Sequence, residues 1–466
     1  MRYLAAILYL ITIPALRGQP AYPLCTNGNH FLVDRKGVPF FVQGNSPWYL
    51  NNSISPSNVD FYLKNQVSMG YNSIILDMAA VAYEDQLNDD TNWFGLQPFS
   101  SASGGYTNLL SWNTSFFTNL DYIIKRAGYY GINCFLYPLY DGFDGENGWY
   151  SYAMTGNAAT NLWQYGNFIG SRYASYSNIV WLGAGDYNEP NSPAACLWNS
   201  VAAGILAADT NHLFSAQPAR TTDAAAQYSV FCTLNATYPS QFSYIASLHN
   251  YQDSPTLASF DREPYYLSTA GFYAFPSQVI NCRQWTWWSI CSGDGGSFYG
   301  DNINGWNFTN GWQTSMTNSG ATTQIYAKLL WLSRNWTNFV PDSGHTVCTS
   351  GYGTSGNIDY ITTTRESHGY TIVSYIPQDT MTPTIAMSQI AGTAANAWWY
   401  NPSNGVPTLI GQYQTVGSQT FTPPSTNDWA LVIDSAAQNL PPPGVNGMTI
   451  NIGGQVVISG NTTISP

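Results

Sequence analysis

The feature that most constrains this chain is a repeated alternation of strand-like and helix-like segments before Cys348. Apolar residues recur with helical spacing from Val59 to Met69, and the apolar run Ser73–Met78 follows directly. Short apolar runs bounded by glycine are typical of buried strands, whereas a period of three to four residues is typical of helices. Strand then helix recurs about eight times, the pattern of a parallel sheet with crossover helices. We therefore predict an α/β fold, a (β/α)8 TIM barrel.

The remaining barrel elements are predicted from the same two periods. Helices are expected at Phe116–Ala127, Thr160–Tyr173 and Cys196–Asp209. Strands are expected at Ile132–Pro138, Ile179–Leu182, Leu213–Pro218, Phe242–His249, Pro264–Gly271 and Trp285–Cys291.

The pattern changes after Cys348. Short alternating runs such as Tyr370–Ile376 are separated by glycine and proline turns, which indicates an all-β sandwich. The triplet Pro441–Pro443 marks a linker, and Met448–Ile464 alternates like a strand or hairpin. That tail is either frayed or available for self-association. The predicted organisation is a signal peptide (1–18), a barrel (19–346), a β-sandwich (347–435) and a Pro-rich linker with a strand-like tail (436–466).

The amino terminus has the layout of a secretory signal peptide. Arg2 precedes an apolar run from Tyr3 to Leu16, and no later stretch is long and apolar enough for a membrane helix. We therefore expect a secreted or surface-located protein that is not transmembrane. Some of the seven cysteines should then pair, with Cys282–Cys291 and Cys196–Cys232 as candidate disulfides. Asn-x-Ser/Thr sequons make it a candidate glycoprotein.

Composition limits the partners. Charged residues make up 9% of the chain, aromatic residues 15%, and the net charge is −12. The chain has no basic run, which argues against a nucleic-acid partner. The cysteines lack metal-ligand spacing, so neither a metal ion nor another cofactor is predicted. A neutral, aromatic-rich surface suits uncharged polar ligands, so a carbohydrate is the expected partner.

The stretch Ile179–Pro190 is the strongest candidate for chemistry. Its apolar run ends at Gly183–Gly185 and is followed by Asp186, Asn188 and Glu189. Acids just past the carboxyl end of a barrel strand are typical of an active site. An acidic, solvated turn explains the same residues equally well.

Hydrolysis of a glycosidic bond requires a second carboxyl group across the bond. Asp186 and Glu189 share one loop and are not expected to face each other. The candidates on other strand ends are Asp77, Asp141, Asp144, Asp253, Glu263 and Asp294. The predicted substrate contacts are Asn45, Trp48, Tyr140, Asp141, Asn188, His249 and Trp287. A strand-end histidine such as His249 is more often structural, and Trp285, Trp287 and Trp288 cannot all face a cleft from one strand.

Several motifs, in this order, resemble one family. They are Gly44–Trp48, Arg172–Tyr173, Asn178, Trp181, Gly183–Asn188, Ala207–Leu213, Tyr299–Gly300 and Trp306, followed by Tyr375–Pro377, Trp399–Gly405 and Pro423–Val432. The set is similar to the apiosidase-like glycoside hydrolases, which often carry a collagen-binding-type β-sandwich. The resemblance covers roughly residues 28 to 434.

The resemblance implies a secreted barrel hydrolase in which Asp186 matches the strand-four catalytic acid. The family's strand-seven acid lies in a Lys-Pro-Val-Leu-Asn-Gly-Glu-Pro-like run. Aligned from Glu263-Pro264 without gaps, that acid falls on Thr269, and Asn45 replaces a usual aspartate. A threonine cannot supply a carboxylate, so Glu189 and Asp294 are the predicted substitutes in the catalytic set.

Two functions remain open on the sequence alone. One is a glycoside hydrolase with Asp186 as acid. The other is a catalytically inactive glycan-binding or structural glycoprotein, surface-exposed or fibre-forming, built on the same barrel. If the strand assignments are right, Asp186, Asn188, His249 and Trp287 gather at one cleft. We further expect hydrolysis to be absent or very weak, because neither Glu189 nor Asp294 is expected across the cleft from Asp186.

Overall fold

A curled parallel sheet organises the amino-terminal part of the protein in the computed structural model. The structure describes residues 19–80, 91–103, 106–146, 148–190, 192–239, 242–268, 278–302, 308–444, 448–450 and 456–458. The helices are α1 (Leu50–Ser53), α2 (Pro56–Ser68), α3 (Thr114–Tyr129), α4 (Trp149–Tyr152), α5 (Ala159–Tyr173), α6 (Trp198–Ala208), α7 (Ala224–Gln227), α8 (Ser243–Gln252), α9 (Val279–Cys291), α10 (Trp312–Ser315), α11 (Ser319–Thr323) and α12 (Ile325–Leu332).

The strands form one parallel sheet, the sheets of a β-sandwich and three hairpins. They are β1 (Leu32–Val33), β2 (Pro39–Phe40), β3 (Val42–Asn45), β4 (Ser73–Asp77), β5 (Ala102–Ser103), β6 (Tyr106–Thr107), β7 (Asn133–Tyr137), β8 (Ile179–Ala184), β9 (Phe214–Gln217), β10 (Gly296–Tyr299), β11 (Phe339–Pro341), β12 (Cys348–Ser350), β13 (Thr362–Glu366), β14 (Thr371–Ile376), β15 (Thr384–Ala386), β16 (Ala394–Tyr400), β17 (Pro407–Gln414), β18 (Ser418–Thr420), β19 (Trp429–Ser435), β20 (Met448–Ile450) and β21 (Val456–Ile458).

The parallel sheet has the order β10-β3-β4-β7-β8-β9. Its strands are buried on both faces, which explains their continuous apolar runs. Alternate side chains such as Phe135 and Leu182 fill the interior, while Leu136 and Trp181 pack against the outer helices. Parallel strands with crossover helices bring all carboxyl ends to one face, where the candidate site lies.

Two extended segments lie between β9 and β10. The amide of Thr233 donates to Phe214 (2.8 Å), that of Thr237 to Phe260 (2.8 Å), and that of Asp261 to Gly296 (3.1 Å). These segments carry isolated parallel bridges, not regular strands. The predicted barrel is therefore present in part, as a curled six-stranded sheet. The described residues do not form a closed barrel of eight regular strands.

Two predicted strands are wrong. Phe242–His249 lies mostly within helix α8, and Trp285–Cys291 is the second half of helix α9. Helix α9 is buried almost all round, so its apolar residues show no helical stripe and resemble a buried strand. The third run, Pro264–Gly271, is described only to residue 268 and has one isolated bridge, Leu267 to Asp301.

The predicted all-β region after Cys348 is present. One antiparallel sheet has the order β11-β13-β14-β19-β16-β17, and a second has the order β12-β15-β18. Side chains from both sheets, including Ile385 and Leu431, share one apolar cluster. This is the sandwich arrangement that the alternating runs predict.

The barrel helices and the sandwich share a core. Trp287 of α9 stacks on Tyr375 of β14, with ring centroids 5.5 Å apart. Arg283 of α9 donates from Nε to Oδ2 of Asp428 at 2.8 Å, and Arg334 pairs with Asp434 in two hydrogen bonds of 2.9 and 2.7 Å. Both ion pairs are buried, so their charges are matched inside the interface.

The chain after the sandwich returns to the barrel. The Pro441 carbonyl accepts a hydrogen bond from Arg334 Nη2 (3.0 Å), and the Gly444 amide donates to Ser333 Oγ (3.0 Å). The predicted Pro-rich linker is therefore docked at these two residues. Beyond it, β20 and β21 pair as an antiparallel hairpin.

The structure also bears on the predicted disulfides and on the expected absence of a membrane helix. All seven cysteines are free thiols, so the two candidate disulfides are wrong. Cys282 and Cys291 lie at opposite ends of α9, far beyond the reach of a disulfide. Within the described ranges, no helix has both the length and the apolar character required to cross a membrane. The predicted signal peptide, residues 1–18, lies outside the described residues.

Candidate active site

A strained turn after β8 places Asp186 at the carboxyl-terminal edge of the curled parallel sheet. Ala184 and Asp186 have φ angles of 58° and 59°, which are uncommon for residues with a side chain, and Gly185 has φ 152°. A Cβ on Gly185 would lie 2.4 Å from the Tyr140 ring and 2.9 Å from the Asp141 amide. Backbone strain of this kind is typical of functional sites. The turn needs glycine at its centre and fixes the position of the Asp186 carboxyl group.

Glu263 is the acid whose charge acts most strongly on Asp186. It follows the extended segment that bridges to β10, and its side chain is 9% exposed. Gln217 Nε2 donates to Glu263 Oε2 at 2.6 Å, and Gln217 Oε1 accepts from the Tyr137 hydroxyl at 2.6 Å. Glu263 is therefore held by side chains from neighbouring barrel strands.

The two acids influence each other electrostatically. Burial and then the charge of Glu263 raise the pKa of Asp186 to about 7. Burial also raises the pKa of Glu263, while the charges of Arg262 and Arg220 and hydrogen bonds from Gln217 and Tyr266 oppose that rise. Like charges in a buried site disfavour double ionisation, so one proton is readily held by the pair.

Two arginines flank the acids. Arg262 is fully buried, donates from Nη1 to Glu263 Oε2 (3.3 Å) and to the Tyr137 hydroxyl (3.2 Å), and lies over the Tyr238 ring. Arg220, in the loop after β9, donates from Nε to the Tyr238 hydroxyl at 3.0 Å. Tyr238 is itself hydrogen-bonded to Asp186. The site therefore balances two carboxyl groups against two guanidinium groups.

Aromatic residues line the same edge of the sheet. Trp48 Nε1 donates to the Tyr266 hydroxyl at 2.8 Å, and Tyr266 is hydrogen-bonded to Glu263. The Trp48 ring also contacts Tyr137 and Tyr140, with centroids 5.2 and 5.6 Å away. The predicted contacts Trp48 and Tyr140 thus lie beside the acids. Trp48 is 1% exposed, so it supports Tyr266 instead of offering an open stacking face.

Two predicted acids form a separate, buried pair. Glu189 caps α6 by accepting hydrogen bonds from the Leu197 and Trp198 amides at 2.6 and 3.0 Å. Asp141 Oδ1 accepts from Trp198 Nε1 at 2.8 Å, and burial together with the charge of Glu189 raises the pKa of Asp141. Glu189 is thereby committed to helix capping, and its partner carboxyl is Asp141.

Asn45 and Asn188 make structural hydrogen bonds. Asn45 Nδ2 donates to Gln66 Oε1 on α2 at 2.8 Å, so this side chain faces the outer layer. Asn188 accepts from the Ala219 amide (2.9 Å) and donates to Thr222 (2.8 Å), which ties the β8 turn to the Arg220 loop.

Three further predicted site residues make no contact with Asp186 or Glu263 among the hydrogen bonds and ion pairs of the described residues. His249 is on helix α8 with a side chain 67% exposed, and Trp287 is buried against the sandwich. Asp294 precedes β10, at the amino end of that strand, and accepts hydrogen bonds from Thr237, Ser247 and Ser259. The gathering of Asp186, Asn188, His249 and Trp287 at one cleft is therefore wrong, because two of the three predicted strands that carry these residues are helices.

The remaining candidate acids, Asp77, Asp144 and Asp253, lie in three different parts of the fold. Asp77 ends β4, and burial raises its pKa to about 7. Asp144 is exposed in the loop after β7, and Asp253 ends α8. Thr269 and Trp306 lie outside the described residues.

The sequence pattern does not identify five residues of this site, and it gives Glu263 only as one of six candidate acids. The five are Gln217, Arg220, Tyr238, Arg262 and Tyr266. A signal was present in the family's Gly-Glu-Pro run. Matched to Arg262-Glu263-Pro264, it places the acid on Glu263 itself, whereas matching Lys-Pro to Glu263-Pro264 displaced it to Thr269. Asp261 and Ser259 face a buried polar cluster outside the barrel, so the segment lacked an apolar strand pattern.

Comparisons with known proteins agree with this fold. Residues 26–338 match the family described as "Apiosidase-like, catalytic domain", and residues 340–434 match "Putative collagen-binding domain of a collagenase". A glycoside hydrolase family 5 structure from Bacteroides vulgatus ATCC 8482 is similar with a TM-score of 0.76, 22% identity, and coverage of 90% of this chain and 94% of that one.

A second solved structure, described as "Glycoside hydrolase", has a TM-score of 0.74 and 21% identity over 90% of this chain and 97% of that one. No curated protein matched the chain. The structural similarities support the fold, and the sequence match spans more than half of the chain. The protein belongs to the apiosidase-like glycoside hydrolase family.

Proposed function

We propose that this protein hydrolyses a glycosidic bond, with Asp186 and Glu263 as its two carboxyl groups. The observation that carries the proposal is the placement of two buried acids beside the strained β8 turn, with Tyr238 contacting both Arg220 and Arg262 next to them. The expectation of a missing second acid then loses its basis, because it depended on the alignment that placed this acid at Thr269.

The environments of the two acids suggest different roles. Asp186, with a pKa raised to about 7, holds a proton near neutral pH and suits the general acid. Glu263 accepts hydrogen bonds from Gln217 and Arg262, which favour its anionic form and suit a nucleophile or base. Different environments around the two carboxyl groups are the means by which such enzymes assign them different roles.

The test measures hydrolysis of a panel of aryl glycosides and of plant and microbial polysaccharides, with the release of reducing sugar as the readout. Asp186→Asn and Glu263→Gln should each lower kcat/KM by about 100-fold or more. Asp379→Asn, in the sandwich, is the control and should leave turnover unchanged. A dinitrophenyl leaving group needs little protonation, so it should rescue Asp186→Asn more than Glu263→Gln.

The alternative is a glycan-binding scaffold without turnover. Calorimetric binding of a glycan by a protein that hydrolyses no member of the panel would favour this alternative. Turnover that survives in both acid variants would contradict the proposed assignment.

Secretion remains part of the proposal and rests on the signal-peptide pattern of residues 1–18. Amino-terminal sequencing of protein recovered from the culture medium tests it. Retention of Met1 would contradict it.

A further inference from the structure

Three metal-ligating side chains meet beside the loop that carries Arg220. His249 Nδ1 lies 3.9 Å from Asp223 Oδ2 and 3.8 Å from Asp253 Oδ1. One ligand atom from each of the three residues lies within 4.8 Å of the other two. The three residues therefore form a triangle of one imidazole nitrogen and two carboxylate oxygens.

Local structure aims these groups at a common point. Asp223 caps helix α7 by accepting from the Ala226 amide through Oδ1 (2.8 Å), so that Oδ2 faces the cluster. His249 lies in the last turn of α8, and Asp253, four residues later, directly follows the helix. Two separate segments of the chain thus converge on the triangle.

A buried amide fixes both carboxylates. Asn235 is fully buried, and its Nδ2 donates to Asp223 Oδ2 (3.3 Å) and to Asp253 Oδ2 (3.0 Å). Its Oδ1 accepts from the Ala236 amide at 2.9 Å, which sets the orientation of the amide group. The carboxylates are consequently held close together although their charges repel, an arrangement that a bound cation stabilises.

The cluster is open to solvent on one side. The side chains of His249, Asp253 and Asp223 are 67%, 24% and 12% exposed. Asp223 and His249 line a cavity of about 150 Å³, whose polar wall also includes Thr221, Thr222, Thr237, Tyr238 and Asn250. An ion could enter from solvent, and the cavity has room for water ligands beside the hydroxyl groups.

We propose that Asp223, His249 and Asp253 bind a divalent transition-metal ion, for which Zn²⁺ is the best match. Zinc takes imidazole and carboxylate ligands at about 2.0–2.2 Å in tetrahedral sites, which places ligand atoms roughly 3.4 Å apart. The observed separations of 3.8 and 3.9 Å need only a small contraction. Calcium and magnesium prefer all-oxygen sites, so the histidine favours zinc over both.

The ion would connect two parts of the barrel. Asp223 lies three residues after Arg220, whose guanidinium acts on both candidate catalytic acids. A bound ion would therefore restrain the Arg220 loop against helix α8. The site itself does not depend on the proposed hydrolase activity.

The test uses tag-free, full-length protein treated with EDTA and dialysed free of it. Titration with ZnCl₂ in a calorimeter should show one strong site per chain, and zinc should raise the Tm. His249→Ala and Asp253→Asn should each weaken zinc binding at least tenfold and remove the Tm increase. His368→Ala is the matched control, because His368 is also exposed and contacts a single carboxylate, Glu366.

Folding of each variant is checked by its Tm without metal. Absence of zinc binding by the wild-type protein would overturn the proposal. Zinc affinity unchanged in a folded His249→Ala variant would also overturn it, as would calcium binding that is tighter than zinc binding.

Discussion

Arg262 precedes Glu263 directly in the chain, and its Nη1 donates to the Glu263 carboxylate at 3.3 Å. Its Nε and Nη2 have no hydrogen-bond partner among the described residues, although the side chain is fully buried. A buried guanidinium with unmatched donors lowers the stability of the folded protein. Such a cost is expected where the positive charge serves the function of the site. We interpret Arg262 as the residue that most strongly opposes the rise in the pKa of Glu263 that burial causes.

Arg262→Gln should move the acidic limb of the kcat/KM profile to higher pH. Removal of the cation raises the pKa of Glu263 further, so a larger fraction of this acid is protonated and inactive at a given pH. Arg262→Lys should move the limb less, because it keeps the charge. The profile is measured on the best substrate of the panel, with Arg365→Gln in the sandwich as control. An unchanged acidic limb in a folded Arg262→Gln variant would argue against this role.

Asp186 should set the alkaline limb. Its pKa, about 7, means that the donor form is present below that pH and is lost as the pH rises through it. We expect kcat/KM to fall above about pH 7 in the wild-type protein. An alkaline limb near pH 9 would instead assign the donor to another group.

The same shift predicts a stabilising variant. A carboxyl group whose folded-state pKa is raised contributes stability below its unfolded pKa and loses it as the pH rises through the folded value. At pH 8, Asp186→Asn should therefore raise the free energy of unfolding by about 1–3 kcal/mol, since one pKa unit corresponds to about 1.4 kcal/mol. Urea unfolding at pH 5 and pH 8 measures this difference, which should shrink at the lower pH.

The β8 turn predicts that Gly185→Ala is severe. The added Cβ would lie 2.4 Å from the Tyr140 ring and would have to keep φ 152°, so the turn must shift and displace Asp186. We expect a loss of more than about 1 kcal/mol in stability and a lower kcat/KM. Gly344→Ala is the control, because its Cβ meets only Thr346, at 3.7 Å. Wild-type kinetics in Gly185→Ala would show that the turn tolerates a side chain.

The interface ion pair should be costly to break. Asp428 is fully buried and also accepts a hydrogen bond from the Tyr375 hydroxyl at 2.8 Å. Asp428→Ala leaves the Arg283 charge unmatched and should cost about 3–5 kcal/mol. Asp121→Ala removes the partner of Arg172 in a partly exposed pair and should cost about 0–1 kcal/mol. Equal losses in the two variants, measured by urea unfolding, would contradict this difference.

The sequence predicts those barrel elements whose apolar pattern arises from a simple boundary between core and solvent. Helix α3 and strand β7 have the expected type because each packs in the way that its period assumes. Helix α9 does not, because the sandwich covers the face that would otherwise be polar. A tertiary contact with another domain therefore erased the helical signal, which no local pattern could reveal.

The candidate site was predictable only in part. Asp186 follows an apolar strand and could be found, whereas Glu263 follows a segment whose outward residues are polar and hydrogen-bonded. Arg262 and Arg220 are distant in sequence from Asp186 and act on it only through the fold. Their contribution to the electrostatics of the site depends on burial, which the sequence does not give directly.

The stacking of Trp287 on Tyr375 also limits how this protein can be divided or recombined. A truncated chain that ends at residue 338 would leave Trp287 and Trp331 uncovered, together with the unmatched charges of Arg283 and Arg334. Such an exposed aromatic patch promotes aggregation. The barrel and the sandwich should therefore be expressed together. A chimera that replaces either domain would need an interface complementary to the one that is kept.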